Sequence, residues 1–81
     1  MIRVVLPDFL QAHTGRAREL EVSARSFSEL IAGFERDSPG FADLVDKKAT
    51  AVIDGEIVPD PMFENLAEHS EVCFLPKLSA G

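Results

Sequence analysis

Between Ser26 and Gly40 the sequence encodes an amphipathic helix with both ends marked, and a helix of this kind needs a surface to lie on. Ser26 and Glu29 form an S-x-x-E capping box, in which each side chain satisfies a backbone donor at the helix start. Phe27, Leu30, Ile31 and Phe34 follow at helical spacing as one apolar stripe, and Pro39 with Gly40 ends the run. The spacing predicts a helix over residues 27 to 37. Its stripe has to be buried, and the flanking sequence offers strands.

Ile2, Val4 and Leu6 alternate with Arg3 and Val5, the period of a half-buried strand, and Pro7 stops the ladder. After a loop carrying Pro7, Asp8, His13 and Gly15, the stretch Ala17 to Val22 alternates again. Leu20 and Val22 face one way and Glu19 and Glu21 the other, as in a hairpin partner. Phe41 to Val45 fits a short turn of helix. Ala49 to Ile53 reads as a strand ending at the turn pair Asp54-Gly55, with Ile57 and Val58 as a brief strand beyond it. Pro59, Asp60 and Pro61 enforce a loop, Met62 to Ala67 has room for a short helical turn, and Glu71 to Leu75 is a last strand with Val72 and Phe74 inward. This predicts an α+β domain over residues 1–75, a mixed sheet with one main helix packed across one face, followed by a flexible C-terminal tail over residues 76–81. The face away from the helix is then left for water or a partner.

A chain of 81 residues has room for one core and not for a substrate-enclosing active site, so it is not expected to be an enzyme by itself. Fourteen acidic against eight basic residues give a net charge of -6, which argues against nucleic acid and for a partner with a basic docking surface. One cysteine, Cys73, excludes an intrachain disulfide framework and a Cys-rich zinc site. Residues Met1 to Leu6 enter a strand without a signal-peptide pattern, and no apolar run approaches membrane-spanning length. A cytoplasmic protein with no membrane partner is expected.

Several residues invite a chemical reading. Cys73 offers a thiol for persulfide or thioester chemistry, but its place on a strand between Val72 and Phe74, beside Glu71, favours a structural role. His13 and His69 have no spacing that pairs them as metal ligands. Asp54, Glu56, Asp60, Glu64, Glu68 and Glu71 lack the pattern of a calcium loop and read as a solvated face or as a surface for a basic partner. Alternation places Val5, Cys73 and Leu75 on the sheet face opposite the helix. Pro7 near its edge and Leu78 on the tail complete a candidate docking patch of Val5, Pro7, Leu75 and Leu78.

With this layout in view, the chain resembles the ubiquitin β-grasp and, in detail, the ThiS/MoaD family of small sulfur carriers, closest to the small subunit of molybdopterin synthase. The residues that carry the resemblance are Met1-Ile2-Arg3-Val4-Val5-Leu6, the turn segment Val52-Ile53-Asp54-Gly55-Glu56-Ile57-Val58, and the ending Ser70-Glu71-Val72-Cys73-Phe74-Leu75-Pro76. The resemblance implies that the C-terminal carboxylate, here Gly81, is adenylated by an E1-like enzyme that uses ATP. It then receives sulfur from a sulfur donor as a thiocarboxylate and passes it to an acceptor enzyme such as the molybdopterin synthase large subunit. No bound cofactor or metal is implied. Ser79 and Ala80 form the slim approach to Gly81, which can thread a narrow channel. Two departures stand out: the family usually ends Gly-Gly where this chain has Ala80-Gly81, and its proline pair is here Pro76-Lys77. One methyl misplaced in a tight channel costs about 1 to 3 kcal/mol. A ubiquitin-like modifier joined to lysines, or a binding module that is never activated, are the alternatives.

Overall fold

The first and last strands of the chain meet at the centre of one sheet. The computed structural model describes residues 1–69 and 71–77. Strand β1 (Ile2–Val5) pairs antiparallel with β2 (Glu19–Val22) and parallel with β5 (Glu71–Pro76). On its other side β5 pairs antiparallel with β3 (Ala49–Ile53), which pairs antiparallel with β4 (Glu56–Val58). The five-stranded order is β2-β1-β5-β3-β4, the mixed sheet expected from the alternating segments. Parallel neighbours need a long crossover, and the whole chain between β1 and β5 supplies it.

Register sorts the side chains. Val4 stands opposite Val72, and Phe74 and Val72 stand opposite Ala51 and Ile53, all five buried on one face. Helix α2 lies on that face and spans Phe27–Asp37, as its spacing predicts, with Phe27, Leu30, Ile31 and Phe34 buried. The aromatic rings connect helix to sheet. Phe74 meets Phe27 at 5.9 Å between centroids and Phe41 edge-on at 6.0 Å, while Phe41 stacks on Phe34 at 4.6 Å. The capping box is built with one change. The Glu29 N–H donates to Ser26 Oγ at 3.1 Å, but the Glu29 carboxylate accepts from the N–H of Arg25, one residue before the cap, at 3.2 Å.

The helical content exceeds the sequence expectation. Residues expected to form the loop with Pro7, Asp8 and His13 instead form α1 (Asp8–Thr14), which Gly15 closes in the left-handed conformation at φ 71°. Leu10 is fully buried, and Gln11 Nε2 donates to the Leu6 carbonyl at 3.0 Å, so tertiary contacts hold a helix too short to stand alone. Pro7 is therefore the N-cap of a helix as well as the end of a strand, and its carbonyl accepts the N–H groups of Leu10 and Gln11. The turn at Phe41 extends into α3 (Phe41–Lys48). The turn expected within Met62 to Ala67 is a 3-10 turn at Pro61–Phe63. Strand β5 continues to Pro76, one residue beyond its sequence expectation.

Helix α3 has no cap of its own, because Gly40 precedes it at φ 98° with no side chain to offer. Glu35, on α2, takes that role: its two oxygens accept the N–H of Ala42 and of Gly40, each at 2.9 Å. His13 Nε2 donates to the Pro39 carbonyl at 3.0 Å and braces the same junction from α1. The N–H groups of Ala42 and then Gly40 hold the Glu35 carboxyl below its ordinary pKa.

Two predictions follow from these contacts. Phe74→Ala should destabilise the fold by about 3–5 kcal/mol, read from urea unfolding, since it empties the junction of Phe27 and Phe41. For Glu35, the folded carboxyl protonates at lower pH than the same group in the unfolded chain. The unfolded state therefore binds more protons in acid, and the stability that Glu35 carries is complete above the ordinary carboxylate pKa and lost as pH falls through the folded value. Glu35→Gln should lower stability at neutral pH and make its acid decline shallower, measured by urea midpoints between about pH 6 and pH 3.

Candidate functional site

The sheet face away from α2 carries an apolar row one side chain wide across four strands. Val5 on β1 is paired with Cys73 on β5, Cys73 with Val52 on β3, and Val52 with Ile57 on β4. Leu75, paired with Thr50, begins the next row on the same face. Ile57 is 64% exposed and Leu75 44%, whereas Val5, Val52 and Cys73 are half-buried. Such a band is a binding surface in outline, with a low shoulder at the centre and exposed side chains at its ends.

A charged row borders the band. Arg3 stands opposite Glu21 on one side and Glu71 on the other, and its guanidinium donates to Glu71 Oε2 at 2.8 and 3.1 Å. Glu19 lies 4.0 Å from the same guanidinium. Exposed pairs of this kind contribute little stability, and their effect here is to keep the one basic group of the row occupied. Beyond them, the Asp54 carboxylate accepts the Glu71 N–H at 2.9 Å and His69 Nδ1–H at 2.8 Å. Asp54 and Gly55 have φ of 48° and 84°, the left-handed pair that a two-residue hairpin requires. Asp54 thus closes the β3–β4 turn and also clamps the start of β5.

Val5, Cys73 and Leu75 share the outer face, as alternation requires. Pro7 lies off the sheet at the head of α1. Leu78, Ser79, Ala80 and Gly81 lie outside the described residues, as does Ser70 of the closing motif. The sequence reading missed Val52 and Ile57. Both were within reach: the turn at Asp54-Gly55 pairs Ile53 with Glu56, which sets Val52 against Ile57. His13 and His69 are exposed and serve local hydrogen bonds, and among the described residues no group of three or more His, Cys, Asp or Glu could hold a metal ion. No helix among the described residues is long and apolar enough to cross a membrane.

Cys73 sits in the middle of the band. Burial, and next the charge of Glu71, push its thiol above the ordinary pKa, against a smaller opposing effect of Arg18. A nucleophilic thiol needs the reverse environment, so the geometry gives Cys73 a packing role.

No protein-family model matches the chain, and no curated protein matches it in sequence. Solved structures do. The chain is similar to Mycobacterium tuberculosis CysO, an antigen, with a TM-score of 0.81 and 18% identity over 96% of this chain and 100% of that one. It is also similar to a chain of the BexX/CysO complex of Amycolatopsis orientalis, with a TM-score of 0.78 and 21% identity over the full length of both.

The elevated thiol yields a direct test. Alkylation of Cys73 by iodoacetamide should be slower than in the urea-unfolded chain, with its rate rising at higher pH, because the thiolate is the reacting form. A folded-state profile at or below the unfolded one would return Cys73 to the list of reactive groups. Taken together, the strand order, the register and the two CysO likenesses establish a ubiquitin-like β-grasp fold.

Proposed function

We propose that this protein is a sulfur carrier that works through the carboxylate of Gly81. The observation that carries the reading is the placement of β5. The closing strand lies at the centre of the sheet, and Lys77, just past its end, is tied down by its N–H to the Lys48 carbonyl at 2.8 Å. Gly81 lies four residues beyond Lys77, a reach of about 14 Å if extended. The anchored β5 and Lys77 are a fixed base from which a terminal carboxylate would be offered to a partner. The ThiS/MoaD-like segments support the same reading: Met1 to Leu6 includes β1, Val52 to Val58 covers the β3–β4 hairpin turn, and Glu71 to Pro76 of the third segment is β5.

The chemistry is borne by a partner. An E1-like enzyme joins the Gly81 carboxylate to AMP from ATP, releasing pyrophosphate. Sulfide from a donor then attacks the acyl carbon and displaces AMP, which leaves a thiocarboxylate. The thiocarboxylate sulfur then attacks an electrophilic carbon of the substrate on the acceptor enzyme and displaces its leaving group, and water hydrolyses the acyl–sulfur bond, which leaves the sulfur on that substrate and restores the Gly81 carboxylate. This chain supplies the acyl group and the docking surface, Val5, Leu75 and the neighbouring Val52 and Ile57 on the outer face; the sequence adds Pro7 and Leu78 as candidate contacts and Ser79 and Ala80 as the approach to Gly81. The CysO likenesses favour a carrier and give no support to molybdopterin synthesis in particular, so that pathway remains the sequence-based choice alone. One feature favours the alternative of a module that is not activated, namely Ala80 where the family has glycine.

Intact-protein mass spectrometry after incubation with ATP, sulfide and E1-like enzymes of the same source decides the matter. The expected result is a gain equal to replacement of one oxygen by sulfur, confined to the C-terminal peptide. Deleting Gly81 should abolish the gain and leave thermal unfolding unchanged, and Ala80→Gly should preserve or raise the loading rate. Loading of the truncated chain would overturn the carrier reading, while adducts to protein lysines would make the chain a modifier.

A further inference from the structure

On the core side of the sheet, an open cavity of about 500 Å³ lies between α2, α3, the β3–β4 hairpin and the loop of residues 59–62. Phe27 and Ile31 of α2, Val45 of α3, Ala51, Val58 and Met62 form its apolar lining. The size is that of a site for a small ligand or a large inserted side chain. Met62, at 45% exposure, and Ile57, at 64%, stand at the cavity with their apolar surface in water. Such surface is stabilised when a partner covers it.

Charge identifies the partner. Asp46 of α3 and Asp60 of the loop both line the cavity and both are exposed, which puts their carboxylates at the rim. Among the described residues neither takes part in an ion pair. Lys77 also lines the mouth, but its Nζ donates to the main-chain carbonyl of Asp46 at 2.6 Å, so a backbone oxygen and not a carboxylate engages it. An apolar hollow with two acidic groups at its edge is complementary to an apolar side chain flanked by a cation. A second copy of this chain is a poor fit, since two molecules of net charge -6 repel.

We infer that this cavity docks a protein partner, which inserts one large apolar side chain and sets an adjacent Lys or Arg against Asp46 and Asp60. The cavity lies on the core side of the sheet and meets the Val5 to Ile57 row at the β4 edge, where Ile57 borders both, so one partner or two can use both. It does not depend on the role of Gly81.

The test is a selection of displayed random short peptides on the full chain, with counter-selection on Ala42→Trp, which fills the cavity from α3. The enriched peptides should carry Leu, Met or Phe next to Lys or Arg. Their binding should perturb the backbone amide signals of Val45, Val58 and Met62 and weaken as salt is raised. The double charge reversal D46K/D60K should lower their affinity about tenfold or more. Both positions are exposed, so this variant keeps its fold and decides the question even if Ala42→Trp does not. No enrichment over counter-selection, enrichment of acidic or uncharged peptides, or unchanged binding to D46K/D60K would overturn the inference. Signal changes confined to Val5, Cys73 and Leu75 would also overturn it, as would self-association of the chain that Ala42→Trp abolishes.

Discussion

The structure depends on Phe74 being buried in the central strand. Its ring touches Phe27 at the start of α2 and Phe41 at the start of α3, and Phe41 in turn stacks on Phe34 near the end of α2. Phe74 therefore joins both main helices to the sheet. The strand that carries it is flanked by β1 and β3, so neither edge of β5 is free and its ladder cannot slip without exposing Val72 and Phe74 together. Lys77, directly after β5, is held in turn by its N–H to the Lys48 carbonyl.

That constraint separates the two faces of the molecule. Inward residues of β5 make the core, and the alternate residues Glu71, Cys73 and Leu75 face out into a band that β1, β3 and β4 extend. The band is apolar along the row from Val5 to Ile57 and charged along the row of Glu21, Arg3 and Glu71. A partner approaching this face meets both a desolvated centre and an electrostatic border, the division of labour found in protein interfaces between affinity and register. Thiol chemistry is disfavoured at its centre, since burial and then Glu71 push the Cys73 thiol above its ordinary pKa.

The junction between α2 and α3 shows how the chain manages a glycine at a helix start. Gly40 turns the backbone at positive φ where a side chain is disfavoured, and the missing cap is supplied by Glu35 from five residues upstream. His13 reaches the same turn from α1. Three separate segments thus converge on one exposed turn, and the helix that starts there lines the cavity at β4 through Ala42, Val45 and Asp46.

Local spacing alone determined α2, β3 and the hairpin turn, because a capping box, a helical stripe and an Asp-Gly pair act over a few residues and need no distant partner. It also determined that Val5, Cys73 and Leu75 share a face, since alternation in a strand is geometric. Tertiary structure decided the rest. Helix α1 has only one buried side chain, Leu10, and its stop signal at Gly15 acquires meaning when the sheet is there to receive that residue. The parallel pairing of β1 with β5 joins residues nearly the whole chain apart, and no local pattern encodes a neighbour at that distance. The cavity at β4 likewise exists where alanines, a short strand and a proline loop from three parts of the sequence are brought together, so the pairing of Asp46 with Asp60 at its rim follows from packing and not from spacing.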